Sequence, residues 1–65
     1  MKASEVKELS AEDLKTQLKE LRAQLFNLRF QMATSQINNT DEASKVKKNI
    51  ARILTEMRAR ELNAQ

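Results

Sequence analysis

Leucines recur through the first half of this chain at alternating intervals of four and three residues. The positions are Leu14, Leu18, Leu21, Leu25 and Leu28, and Met32 continues the series. This spacing keeps the apolar side chains on one side of an α-helix, because about 3.6 residues complete a turn. The pattern therefore predicts a long helix from about residue 11 to about residue 34, with an apolar stripe that must be buried.

A second apolar stripe follows a short polar break. Residues 35–40 include two asparagines, which tolerate turn conformations, so we predict a turn there. Beyond it the spacing again alternates between three and four residues and predicts a second long helix from about 41 to about 62. Asn39 and Thr40 both suit the cap of this helix, and the pattern does not choose between them. The second stripe consists of Ala43, Val46, Ile50, Ile53 and Met57.

A short helix is predicted at about residues 3–8, with Val6 as its main apolar side chain. Ser10 follows as a candidate cap for the first long helix, because its hydroxyl can accept a hydrogen bond from the Asp13 amide. Leu9 and Leu14 flank this cap at the positions of a hydrophobic staple. We therefore expect the short helix to fold against the start of the first long helix.

Two stripes of similar length, joined by a short turn, bury each other most simply as a hairpin. The predicted fold is all-α: one domain over residues 1–65, built from two long antiparallel helices with a coiled-coil-like stripe and a short N-terminal helix. The alternative is a coiled-coil interaction subunit, in which the stripes pair between chains and the protein has no nucleic-acid role.

The composition argues against catalysis. The chain has no His, Cys or Gly, and so lacks the commonest general base, the usual zinc ligands and a phosphate-binding glycine loop. We expect no cofactor, no metal and no small-molecule substrate. No apolar run is long enough to predict a membrane helix, and the absence of Cys is compatible with the cytoplasm.

Positive charge is concentrated on the two long helices. The chain carries a net charge of +3, but residues 21–60 contain eight basic and three acidic side chains. Such an excess favours a polyanionic partner, although an ordinary solvated surface is the simpler alternative. The predicted phosphate-binding residues are Lys15, Lys19, Arg22, Arg29, Lys45, Lys47, Lys48, Arg52 and Arg58.

Phe26 and Phe30 are the two aromatic residues of the chain, and both lie beside the basic residues of the first long helix. Two interpretations are open. The rings extend the core, beneath the short helix, or they form part of a contact surface for RNA or for a neighbouring protein.

Three segments together resemble a known family. They are Leu25–Gln31 with Ala33–Gln36, the basic run Lys45–Ile53, and the opening Met1–Ala3 with Leu9, Ser10, Asp13 and Leu14. In this order they resemble the large-subunit ribosomal protein family numbered twenty-nine in bacteria, over essentially the whole chain. The family often has Gly where this chain has Ser35, so the first long helix lacks the glycine that would end it cleanly.

The resemblance implies a two-helix protein of the cytoplasmic ribosome that binds large-subunit ribosomal RNA. It also implies a position near the exit of the nascent-chain tunnel, beside a ribosomal protein of family twenty-three. The leading hypothesis is therefore a structural RNA-binding protein and not an enzyme.

Overall fold

The computed structural model describes residues 2–35 and 38–63, and within them the chain forms three helices and no strand. These are α1 (Ala3–Glu8), α2 (Ala11–Ser35) and α3 (Thr40–Asn63). The long helices α2 and α3 pack against each other as an antiparallel hairpin, about 46 Å long and 16 to 17 Å across. The predicted fold class is confirmed.

The ends of the long helices differ from the predicted bounds by single residues. Ser35 is the last residue of α2 and not the first residue of the turn, and Thr40 is the first residue of α3. Residues 36 and 37 of the predicted turn lie outside the described residues.

The core consists of the two predicted stripes and one residue of α1. Val6, Leu14 and Ile53 are almost completely buried, at 1%, 1% and 0% exposure. Leu18, Leu25, Ile50 and Met57 are partly buried and pack against this core. The stripes therefore bury each other within one chain, which removes the surface that the coiled-coil alternative requires. The remaining core residues are Leu21, Leu28, Ala43 and Val46.

Ser10 caps α2 as the sequence predicts. Its Oγ accepts a hydrogen bond of 3.1 Å from the Asp13 amide, and its carbonyl accepts one of 2.9 Å from the Leu14 amide. Glu12 and Asp13 lie in the first turn, where a negative charge interacts favourably with the helix dipole. Leu9 packs on the same core cluster as Leu14, as a staple would.

The start of α3 involves Asn38 of the predicted turn as well as Asn39 and Thr40, the two predicted caps. The carbonyl of Asn39 accepts the first bond of the helix, 2.9 Å from the Ala43 amide. The side-chain oxygen of Asn38 accepts from the backbone amide and the hydroxyl of Thr40. The Asn39 side chain instead donates to Gln31 of α2, at 3.2 Å, and so links the two helices.

The structure corrects the predicted position of α1. The short helix packs mainly against α3, with a lesser contact to α2. The physical reason is a set of long-range contacts. Val6 joins the buried cluster that also contains Ile53, and Arg60 near the end of α3 donates to the carbonyls of Lys7 and Leu9.

Candidate nucleic-acid interface

The side chains on one flank of α2 are basic or aromatic. At about 100° per residue, the residue that directly follows each stripe position lies on the same flank of the helix. Lys15, Lys19, Arg22 and Arg29 occupy four of these positions, and all four are exposed. Phe26 occupies a fifth. The flank thus combines cations with an aromatic ring, and α2 has no acidic residue there.

The matching flank of α3 lies on the same side of the molecule. In two right-handed helices that pack antiparallel, the residues that follow each stripe turn towards the same face of the pair. On α3 this flank carries Lys47, Leu54 and Arg58, all exposed. We call this side of the hairpin the basic face. Its cations are Lys15, Lys19, Arg22, Arg29, Lys47 and Arg58.

The two faces of the hairpin differ in charge. On the basic face, the eleven positions that directly follow a stripe residue hold six cations and no acid. On the opposite face, the eleven positions that directly precede a stripe residue hold four acids and two cations. A polyanion is therefore attracted to one face and not to the other.

Three of the nine predicted phosphate-binding residues lie off the basic face. Lys45 and Arg52 directly precede stripe residues and so belong to the opposite face, and Lys48 points away from α2 on the outer side of α3. The structure thus brings six of the predicted cations together and separates Lys45, Lys48 and Arg52 from them. The flank of α3 that carries Arg52 is also the one against which α1 packs.

The six cations of the basic face are available for a ligand. In the part of the chain that the structure describes, none of them takes part in an ion pair. An exposed ammonium or guanidinium group outside an ion pair has its hydrogen-bond donors free for phosphate oxygens.

Phe26 and Phe30 are surface residues. Their exposures are 68% and 60%, so the interpretation that they extend the core is wrong. Val6, the apolar residue of α1, is buried in the core cluster together with Ile53 of α3. Phe26 lies within the basic face, and Phe30 lies one turn further along α2, at its outer edge.

Arg60 has a structural role that the sequence did not reveal. Its Nη2 donates to the carbonyls of Lys7 and Leu9, at 3.0 and 2.6 Å, and its Nε donates to Glu56 at 2.9 Å. These bonds hold the end of α1 on α3. The spacing of Glu56 and Arg60 is a recognisable helical ion pair, but no local pattern indicates which carbonyls the guanidinium would bind.

The described residues contain no candidate metal centre. Among them there is no group of three or more acidic, His or Cys side chains that could hold a metal ion. What the arrangement offers chemically is a rigid row of donors with fixed positive charge.

Comparison with known proteins identifies the family. Residues 4–60 match the family described as ribosomal L29 protein. The chain belongs to the ribosomal L29 protein family. The resemblance noted in the sequence is therefore confirmed.

Relatives within the L29 family match over nearly the full chain. A protein of Corynebacterium urealyticum is 62% identical over 60 residues, covering 92% of this chain and 78% of its own length. One of Sulfurihydrogenibium sp. is 57% identical over 63 residues, covering 97% and 94%. One of Oenococcus oeni is 54% identical over 65 residues, covering 100% and 94%. Each is named large ribosomal subunit protein uL29, and none of the names is that of an enzyme.

Within the described residues no helix is both long and apolar enough to cross a membrane.

Proposed function

We propose that this protein is a structural component of the large ribosomal subunit, in the cytoplasm, and that its basic face binds large-subunit ribosomal RNA. The L29 family and the names of its members support the ribosomal assignment. The observation that supports the RNA contact is the unequal distribution of charge between the two faces of the hairpin. Six unpaired cations and no acid occupy the flanks of one face of a rigid rod.

The contact is with phosphates. Exposed cations along a rod about 46 Å long face the sugar–phosphate backbone over several nucleotides. Such contacts position a protein on folded RNA and carry little base information. If all six cations bind phosphates, the logarithm of the binding constant falls with the logarithm of salt concentration at a slope of about −4 to −5.

Lys45, Lys48 and Arg52 form a second basic surface in this proposal. They lie on the opposite face and outer side of α3, so they reach RNA only where a second strand approaches there. Their contribution to RNA binding can therefore be measured separately from that of the basic face. The measurement shows whether the RNA lies on one side of the protein or on both.

The decisive experiment compares variants with the same net charge. The basic-face variant carries Lys19→Gln, Arg22→Gln and Arg29→Gln. Its control carries Gln24→Glu, Asn27→Asp and Gln31→Glu, which lower the charge by the same three units on the opposite flank of α2. We expect the first variant to bind a large-subunit RNA fragment at least tenfold more weakly than the control, with a shallower salt dependence.

Equal losses in the two variants would show that only net charge matters and would contradict a defined RNA-binding face. A third variant, Lys45→Gln with Lys48→Gln and Arg52→Gln, measures the second surface. Binding that does not respond to salt in the unmodified protein would contradict phosphate contact altogether.

We further propose that the protein lies near the exit of the nascent-chain tunnel, beside the ribosomal protein of family twenty-three. This placement follows the family resemblance. The structure offers an exposed apolar side chain suited to a protein neighbour, because Leu62 near the end of α3 is 60% exposed. Crosslinking from position 62 in assembled subunits should label that neighbour. Labelling of other proteins only would contradict the placement.

A further inference from the structure

Phe26 and Phe30 form an exposed aromatic pair inside a basic surface. The two residues are four positions apart on α2, so their side chains emerge on the same side of the helix with a rise of about 6 Å between them. Both rings are more than half exposed. An exposed pair of large apolar rings is costly to leave in water and marks a contact site.

The surroundings of the pair favour RNA over protein as the partner. Arg22 precedes Phe26 by one turn, and Arg29 lies between the two phenylalanines in the sequence. Ala23 and Ala33 continue the apolar surface by one small side chain at each end, so the apolar strip that contains the rings is narrow. A protein interface needs a broader apolar centre with few charges. Rings between guanidinium groups match a nucleotide, whose base is flat and whose phosphate is anionic.

We propose that Phe26 and Phe30 stack on an unpaired RNA base while the neighbouring arginines bind its flanking phosphates. Stacked bases are about 3.4 Å apart, so a base held between two rings needs about 6.8 Å, within about 1 Å of the rise of about 6 Å between residues four apart on a helix. A base inside a duplex is covered on both faces, so the ligand is a bulge, a loop or an unstacked single strand. This inference rests on the proposed RNA-binding function and names the kind of RNA that the basic face binds.

The test uses two RNA probes of equal length with 2-aminopurine at one position. In one probe the fluorescent base lies in a single-nucleotide bulge, and in the other it is paired within a continuous duplex. The full-length protein is compared with the variant Phe26→Ala/Phe30→Ala. The control, Gln24→Ala/Asn27→Ala, removes two exposed side chains at the same level of α2 on the other flank. Circular dichroism verifies that the variants keep their helices.

We expect the protein to change the 2-aminopurine fluorescence in the bulged probe and not in the duplex. The Phe26→Ala/Phe30→Ala variant should bind the bulged probe about tenfold more weakly, and the duplex within about twofold of the unmodified protein. A Phe26→Tyr/Phe30→Tyr variant should restore binding because a tyrosine ring stacks as well. Restoration of this kind separates stacking from a general effect on folding.

Three results would overturn the inference. Unchanged binding of the bulged probe by the alanine variant would assign the rings to a protein neighbour. Equal losses on the two probes would assign them a structural role. Equal binding of both probes by the unmodified protein, with the expected salt dependence, would reject the unpaired base and leave the proposed function intact. Absence of salt-dependent binding to either probe would instead reject the proposed function.

Discussion

The two halves of the hairpin differ in how their side chains are used. In the half that α1 covers, Val6, Leu14 and Ile53 are almost fully buried, and Arg60 joins two helices through hydrogen bonds. In the half that contains the connection between α2 and α3, both aromatic rings are exposed, together with Arg29 and Lys47 of the basic face. The buried residues and the Arg60 bonds of the first half hold the fold together, whereas the basic face runs along the outside of both halves. Substitutions of buried residues and of Arg60 should therefore change stability, whereas those on the basic face should change binding.

The largest expected effect is on the buried core of the covered half. Ile53→Ala should lower the free energy of unfolding by about 3 to 5 kcal/mol, because it leaves a cavity at a position with no exposed surface. Leu28→Ala, towards the other end, should cost less, since Leu28 is 8% exposed and water can fill part of the space. Urea denaturation followed by circular dichroism measures both. A larger loss of stability in Leu28→Ala than in Ile53→Ala would contradict the distinction between the halves.

A smaller effect is expected at Arg60, and Arg58 provides the matched comparison. Arg60→Ala should lower stability by about 1 to 2 kcal/mol and speed amide exchange in α1, because two carbonyls lose their donor. Arg58→Ala should leave stability within about 0.5 kcal/mol, since Arg58 lies exposed on the basic face. RNA binding should weaken in Arg58→Ala, whereas it should change little in Arg60→Ala. Equal effects of the two substitutions on both measurements would contradict the division of roles.

The smallest of these effects belongs to the cap of α2. Ser10→Ala should cost about 1 kcal/mol, because the Asp13 amide loses its acceptor. Ser44→Ala, at an exposed position inside α3, should be neutral or slightly stabilising, because Ala favours the helix. A thermal melt monitored at 222 nm compares the two. A loss at Ser44 as large as that at Ser10 would show that the hydroxyl at residue 10 is not acting as a cap.

The parts of the fold that depend on local spacing could be predicted from the sequence. The two stripes define both long helices, and the Ser10 cap depends on a residue only three positions away. The docking of α1 could not be predicted, because it depends on contacts between residues 51 and 53 positions apart. The staple at Leu9 correctly indicated a turn of the chain but not the helix that α1 would reach.

The candidate site was predictable in its residue types but not in its arrangement. All nine predicted cations are exposed. Their division between two surfaces follows only once the helices are known to pack antiparallel, since that packing brings Lys47 and Arg58 to the same side as Arg22. The sequence leaves the exposure of Phe26 and Phe30 open, because Phe26 lies next to the apolar stripe and Phe30 lies one turn further along, and neither ring is part of the stripe.

The bonds from Arg60 to α1 also have a consequence for the order of folding. A six-residue helix is too short to persist alone in water, and the carbonyls of Lys7 and Leu9 gain the Arg60 donor only from a position more than fifty residues further along the chain. During synthesis, α2 and most of α3 can therefore pair before the end of α1 gains these bonds. The helix that is synthesised first is therefore the last to be held in place. Its docking depends on the completion of α3, where Arg60 lies.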